Sequence, residues 1–164
     1  MAWSVRLPPA VQKVMPRLIH ASARFTRPLT LGVRAVLLRE GPNGTEVFLV
    51  RHSYVPGWHL PGGAVEARET VGDAVIREVR EECAIAIEGR PDLFGLYFNR
   101  AVSARDHVAV FRVREFRVME RRAADWEIVE AGFYPVSALP EGITGAARAR
   151  LAEMLDGRTP SADW

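Results

Sequence analysis

The chain has 164 residues, of which 48% are hydrophobic and 26% are charged, and its formal net charge is +2. This length suits one globular domain, and this composition excludes an intrinsically disordered chain. No apolar run approaches the roughly 18 residues needed to cross a bilayer, so no transmembrane segment is expected. The single cysteine, Cys83, excludes an intramolecular disulfide and fits a reducing compartment. We therefore expect a single-domain, cytoplasmic protein.

Residues 1–28 form a basic N-terminal extension that contains no acidic side chain. Pro8, Pro9 and Pro16 interrupt this extension. Its apolar residues Val11, Val14, Leu18 and Ile19 are spaced to form one face of a short helix. A basic amphipathic segment fits a helix packed on the domain, a targeting segment, or a contact with a membrane surface or nucleic acid. The favoured prediction is a helix packed on the domain.

The domain itself is predicted to cover residues 29–158, which leaves 159–164 as a C-terminal tail. Apolar runs and turn residues divide it into strands and helices. In chain order we predict strands at 30–39 and 46–52 joined by a turn at 41–44, a helix at 70–82, strands at 93–99, 107–118 and 127–134, and a helix at 144–155. This order predicts an α/β protein with a mixed sheet and helices packed on its faces.

The helix predicted at 70–82 carries three carboxylates in its last turns. Glu78, Glu81 and Glu82 are spaced i, i+3 and i+4, so they are near neighbours along the border of its apolar face. That face comprises Val71, Val75, Ile76, Val79 and Cys83. Like charges at this spacing cost about 0.2–0.5 kcal/mol per pair, and the helix C-terminus disfavours each by roughly 0.3–1 kcal/mol more. The glutamates alone favour a solvated acidic face, but they are also suited to bind Mg²⁺ or Mn²⁺.

The residues around these glutamates resemble the signature of the Nudix (MutT-like) hydrolase family, G-x5-E-x7-R-E-U-x-E-E-x-G-U, where U is a bulky aliphatic residue. Eight positions are in register: Gly63, Glu69, Arg77, Glu78, Val79, Glu81, Glu82 and Ile85. The one departure is Ala84, where the pattern has a glycine that usually supplies a left-handed helix cap. We expect Ala84 to cost about 1 kcal/mol without loss of activity. The resemblance covers roughly residues 30–155.

This resemblance implies a Nudix-type α/β/α sandwich with a central mixed β-sheet, and a hydrolase that depends on Mg²⁺ or Mn²⁺. By the match to the motif, Glu78, Glu81 and Glu82 are expected to bind the metal together with the Gly62 carbonyl. The role of Glu78 varies among similar enzymes between metal ligand and catalytic base.

Other residues complete the catalytic site that the resemblance implies. Glu69 and Arg77 are expected to form a salt bridge that holds the loop around Gly63 against the helix and orients the carboxylates. A further glutamate from a later loop or strand often serves as the base or as an extra ligand. Glu127 is the first choice for this role and Glu130 the second.

The substrate contacts are less well defined by the sequence. Trp58 and Phe98 are candidates to stack on a base, and Arg34 and Arg51 are candidates to hold phosphates. Ordinary packing or surface ion pairing accounts for each of these four side chains equally well. His52 lies beside a strand without a metal-binding partner at useful spacing, and no role in the site is expected for it.

The reaction implied by the resemblance is attack of water on one phosphorus of a nucleoside diphosphate linked to another moiety. A divalent cation would neutralise phosphate charge and lower the pKa of the bound water. A small-molecule nucleotide is the favoured substrate, with nucleic acid less favoured. An RNA 5′-pyrophosphohydrolase is one alternative, because the arginine-rich extension would attract a phosphate backbone. A non-catalytic nucleotide-binding or regulatory module is the other, and homodimers are common among similar proteins.

Overall fold

The computed structural model describes residues 29–119 and 127–164, so the helix predicted within 1–28 lies outside the described residues. The elements of the two described ranges are, in chain order, β1 (Thr30–Gly41), β2 (Gly44–His52), α1 (Val71–Cys83), β3 (Ile85–Ile87), β4 (Asp92–Phe98), β5 (Asp106–Val113), β6 (Phe116–Val118), β7 (Ile128–Pro135), a 3-10 helix (Val136–Ala138) and α2 (Gly145–Leu155). No helix within these ranges is long and apolar enough to cross a bilayer.

The central sheet contains five strands in the order β4-β5-β1-β2-β7. Strands β1 and β5 run parallel and the other neighbours run antiparallel, so the predicted mixed sheet is confirmed. The single strand predicted over 107–118 is in fact two strands, β5 and β6. Strand β6 pairs with β3 in a separate two-stranded sheet. The sequence does not predict β3, because three residues are too few to establish a periodic pattern.

Alternate residues of the central strands pack against helices on opposite faces of the sheet. Val33 and Leu37 of β1 share a core with Val79 of α1, whereas Val36 shares the other core with Leu151 of α2. The alternation follows from the two-residue period of a strand, and a strand buried on both faces reads as a nearly continuous apolar run. The α/β/α sandwich expected from the sequence is therefore confirmed.

A segment of the loop between β2 and α1 is inserted between β1 and β2. These two strands pair with each other only next to their shared turn. Farther along, the Val33 amide donates to the Gly63 carbonyl at 2.8 Å, and the Val50 amide donates to the His59 carbonyl at 3.0 Å. The loop backbone thus takes the place of a strand in the sheet. This insertion fixes the glycine-containing loop directly beside α1.

Helix α1 begins with a capping box in which Thr70 and Asp73 each bond the other's backbone. Its buried face differs from the predicted one at Ile76, which is 37% exposed. Ala74, which precedes Val75 as Ile76 follows it, is instead fully buried. The buried arc is therefore rotated toward Ala74, and Ile76 lies at the solvent side of the helix.

The residues predicted as a C-terminal tail pack against the domain. The Trp164 amide donates to the Phe98 carbonyl at 3.0 Å, which extends the sheet beyond the edge of β4. The Trp164 ring lies 6.0 Å from the Tyr97 ring, and buried Arg150 donates to the Asp163 carbonyl at 3.1 Å. Composition does not predict these contacts, since they depend on where β4 and α2 end in space.

Ala84 adopts the left-handed conformation that the family pattern usually assigns to glycine, with φ 52° and ψ 43°. We predict that Ala84→Gly raises the free energy of unfolding by about 0.5–1 kcal/mol, because glycine removes the left-handed strain but adds entropy to the unfolded chain. Urea denaturation measures the change. The control Ala86→Gly in β3, where no such strain exists, should instead destabilise, and equal effects of the two variants would contradict the prediction.

Candidate active site

The three carboxylates in the last turns of α1 differ strongly in exposure. The side chains of Glu82 and Glu78 are 8% and 14% exposed, whereas that of Glu81 is 56% exposed. The spacing along the helix predicted near neighbours but did not distinguish their exposure. Glu78 and Glu82, one turn apart, face the inserted loop, and Glu81 faces solvent.

The backbone of Gly62 and Gly63 covers the two buried carboxylates. The Gly62 amide donates to Glu82 Oε2 at 2.7 Å. A Cβ on Gly63 would overlap the Glu78 carboxylate, and a Cβ on Gly62, whose φ is +138°, would overlap the Val33 carbonyl. Glycine is required at both positions because β1 and α1 approach the same stretch of backbone from opposite sides.

Arg77 joins the loop, the helix and the carboxylates. Its guanidinium makes a two-pronged salt bridge with Glu69, at 2.9 Å from Nε and 3.0 Å from Nη2, as predicted. It also donates to Glu78 Oε1 at 2.7 Å and to the Ala64 carbonyl at 3.1 Å. The hydrogen bond from Arg77 lowers the pKa of Glu69 below its ordinary value. The carboxylate of Glu78 is thereby held at a fixed position under the loop.

Arg34 lies at the same loop, but its contacts differ from those predicted. Its Nη1 donates to the carbonyls of Leu60, at 3.3 Å, and of Gly62. Arg34, a candidate phosphate contact, therefore bonds the Gly62 carbonyl, which the family resemblance assigns as a metal ligand. In this arrangement Arg34 supplies positive charge beside the buried carboxylates, and this charge partly opposes the increase in the pKa of Glu82 that burial causes.

His52 belongs to the site, although no role was expected for it. Its Nε2 lies 3.6 Å from Glu82 Oε1, and its Nδ1 is buried without a hydrogen-bond partner. Burial, and then the charge of Arg34, lower the pKa of His52, so the ring facing Glu82 is neutral near pH 7. The pattern of β2 could have indicated this position. Side chains alternate between the two faces of a strand, so His52 lies on the same face as Phe48 and Val50, which pack against α1.

The structure separates the two candidate bases. Glu127 lies near the buried carboxylates, since its charge raises the pKa of Glu82, and it accepts a hydrogen bond from the Tyr54 hydroxyl at 3.0 Å. Glu130 instead accepts from Arg51 at 2.8 Å and from Tyr134 at 3.3 Å. The Arg51 and Tyr134 side chains share the face of the sheet on which Trp58 packs, away from α1.

The other candidate substrate contacts do not converge on the carboxylates. Trp58 is only 7% exposed and packs in the core beneath α2, so its faces are not available to a base. Phe98 lies on edge strand β4, where its ring is 5.3 Å from that of His107. Arg51 is paired with Glu130. Of the four candidates, only Arg34 contacts the loop that covers the site.

The oxygen donors at this site fit a hard divalent cation in chemical type. Burial, together with the charges of Glu78 and Glu127, raises the pKa of Glu82 to about 7, against the opposing effects of the Gly62 amide and the Arg34 charge. A cation bound there would relieve this repulsion. Within 29–119 and 127–164, however, no three His, Cys, Asp or Glu side chains converge into a preformed metal site. The Glu81 side chain is 56% exposed and accepts a hydrogen bond from Arg77 at 3.3 Å.

Residues 28–155 match the model of the NUDIX domain, a range that includes the sheet, both helices and the carboxylate site. The chain therefore belongs to the NUDIX family, as its signature predicted. A solved MutT NUDIX hydrolase from Burkholderia pseudomallei superposes with a TM-score of 0.64 at 28% identity, covering 76% of this chain and 97% of that one.

Curated relatives match this chain over different lengths. The putative mutator protein MutT4 of Mycobacterium tuberculosis is 35% identical over 104 residues, which are 60% of this chain but only 41% of that protein. A MutT-like protein of Streptomyces ambofaciens is 32% identical over 128 residues, covering 77% of this chain and 71% of that protein. An ADP-ribose pyrophosphatase of Methanocaldococcus jannaschii is 36% identical over 83 residues, half of this chain and 48% of that protein.

The raised pKa of Glu82 predicts how the stability of the metal-free protein depends on pH. Glutamate in the unfolded chain ionises near 4.5 and Glu82 in the folded chain near 7, so the folded state binds the extra proton between these values. The contribution of Glu82 therefore lowers the free energy of unfolding as pH rises through this window, by up to about 3 kcal/mol.

Urea denaturation in EDTA at about pH 5 and about pH 8 measures this effect. His52 acts in the opposite direction, because its lowered pKa makes stability rise with pH, so the comparison must be made with Glu82→Gln. The variant should lack the Glu82 contribution and be more stable than the parent protein at the higher pH. Identical pH dependence in the two proteins would contradict the assignment.

Proposed function

We propose that this chain is a divalent-metal-dependent hydrolase that cleaves the pyrophosphate linkage of a nucleoside diphosphate joined to another moiety. The observation that carries the proposal is that the carboxylates of Glu82 and Glu78, only 8% and 14% exposed, lie beneath the backbone of Gly62 and Gly63. Burying like-charged carboxylates one turn apart is costly, and a helix selected for stability alone would not retain them. Membership of the NUDIX family supports the same activity.

The signature side chains around the buried pair have distinct tasks in this proposal. Glu78 and Glu82, with the Gly62 carbonyl and a reoriented Glu81, would hold the Mg²⁺ or Mn²⁺ ion. The ion would neutralise phosphate charge and lower the pKa of the attacking water. Arg77, fixed by Glu69, orients Glu78 through its 2.7 Å contact.

Glu127 is proposed as the group that accepts the proton from the attacking water. Its carboxylate is close enough to Glu82 to raise the pKa of that residue. Glu130 is less suited to this task, because Arg51 already binds it on the other face of the sheet. A positioned general base contributes about 10²–10⁴-fold to a reaction of this kind.

The proposed substrate class is a small nucleotide derivative. The name of the Methanocaldococcus jannaschii relative, an ADP-ribose pyrophosphatase, supports this class over half of the chain. Arg34 is suited to bind a substrate phosphate if it exchanges the Gly62 carbonyl for that ligand, because guanidinium groups bind phosphate in a two-pronged way. A non-catalytic module is disfavoured, since all the acidic positions of the signature are present.

We predict that Glu82→Gln lowers turnover at least about 100-fold, because it removes the most deeply buried of the proposed oxygen ligands. Release of nucleotide or phosphate is measured with Mg²⁺ or Mn²⁺ and with EDTA. The substrates are ADP-ribose, nucleoside triphosphates, a dinucleoside polyphosphate and 5′-triphosphate RNA.

The matched control is Glu115→Gln, an exposed glutamate in the turn between β5 and β6, which should leave turnover unchanged. Near-normal activity of Glu82→Gln would refute the proposed metal site. Absence of EDTA-sensitive cleavage of every substrate by the folded parent protein would favour the non-catalytic alternative.

A further inference from the structure

The loop after β2 holds Glu127 through two separate contacts. The Ser53 amide donates to the Glu127 carbonyl at 3.0 Å, and the Tyr54 hydroxyl donates to Glu127 Oε1 at 3.0 Å. The first contact fixes the backbone of Glu127, and the second fixes its side chain. Both come from adjacent residues of one loop, so the position of the carboxylate depends directly on that loop.

The Tyr54 side chain is not explained by packing. It is 60% exposed, and its ring lies 5.2 Å from the ring of His52 at the wall of the site. A largely exposed aromatic ring contributes little to a core, since the stabilisation from burial scales with the apolar area removed from water. The feature of Tyr54 with a specific partner is its hydroxyl group.

We propose that Tyr54 is a positioning residue for hydrolysis, whose hydroxyl holds the Glu127 carboxylate on the Glu82 side of the site. This inference rests on the proposed function, in which Glu127 accepts the proton of the attacking water. Positioning of a base matters because proton transfer requires hydrogen-bond distance and alignment, and small misplacements cost large factors in rate.

The electrostatics of the loop agree with this arrangement. Partial burial, followed by the hydrogen bond and charge of Glu127, raises the pKa of the Tyr54 phenol above its ordinary value of 10. The phenol therefore remains protonated and able to donate throughout the neutral pH range. The charge of Glu82 also raises this pKa, which places all three groups in one neighbourhood.

A second tyrosine–glutamate pair provides a matched control within the same protein. The Tyr134 hydroxyl donates to Glu130 Oε1 at 3.3 Å on the face of the sheet away from α1. This pair has the same chemistry as the pair formed by Tyr54 and Glu127 but lies away from the buried carboxylates. Loss of the Tyr134 hydroxyl should therefore leave catalysis unchanged.

The test compares Tyr54→Phe with Tyr134→Phe in the full chain, with Mg²⁺ and whichever of the substrates named above the parent protein cleaves fastest. Tyr54→Phe retains the ring and should lower kcat about 10-fold with little change in KM, because the base is misaligned but not removed. The same substitution in a Glu127→Gln background should cause no further loss, since Tyr54 acts through Glu127. Tyr134→Phe should retain kcat within about twofold.

Three kinetic outcomes would overturn the inference. The first is a kcat for Tyr54→Phe equal to that of Tyr134→Phe. The second is a multiplicative loss in the Tyr54→Phe/Glu127→Gln double variant, which would mean that the two residues act independently. The third is a rise in KM without a fall in kcat, which would make Tyr54 a substrate contact.

An ultraviolet difference titration gives a readout that does not require activity. The phenol of Tyr54 is identified by subtracting the Tyr54→Phe spectrum, and Glu127→Gln should lower its pKa because a neighbouring negative charge is lost. An unchanged titration would show that the contact does not form, and would overturn the inference even if the parent protein hydrolysed nothing. Failure of the proposed function alone would instead appear as absent EDTA-sensitive turnover with the titration shift intact.

Discussion

The insertion of the Gly62-Gly63 backbone between β1 and β2 is the constraint on which the rest of this structure depends. Its hydrogen bond to Val33 makes it part of the sheet, and its position over α1 places it on the carboxylates of Glu78 and Glu82. Side chains at the two glycines would collide with β1 on one side or with Glu78 on the other. The sheet, the loop and the helix are therefore joined at one point.

The charges around this point lower the stability of the folded protein. Burial of Glu82 and the charges of neighbouring carboxylates raise its pKa to about 7. Arg77 and Arg34 offset part of the repulsion, Arg77 through the Glu78 carboxylate and Arg34 through its charge and the Gly62 carbonyl. A site with this much unbalanced negative charge is suited to bind a cation and the phosphates that accompany it.

The two candidate glutamates lie on either side of a bulge in β7. Strand β2 pairs Arg51 with Glu130 and then His52 with Ile128, so one residue of β7 is left without a partner in the register. Glu130 remains with Arg51 and Tyr134 on one face, while Glu127 comes next to Tyr54 beside the carboxylates. Glu127 and Glu130 therefore have different partners, Tyr54 for the first and Arg51 and Tyr134 for the second.

The sequence by itself determined the family, the mixed sheet, both described helices and the Glu69–Arg77 salt bridge. These follow from local periodicity and from a motif of fixed spacing within 23 residues. Only the tertiary structure decided that Glu81 faces solvent, that His52 joins the site, that Trp58 is buried and that Glu127 rather than Glu130 lies near Glu82. Each of these depends on how distant strands pair and on which face a side chain leaves the sheet. Contacts of that kind are set by packing across the whole fold, whereas a local pattern such as the alternation of β2 indicates only the face of the sheet on which a side chain lies.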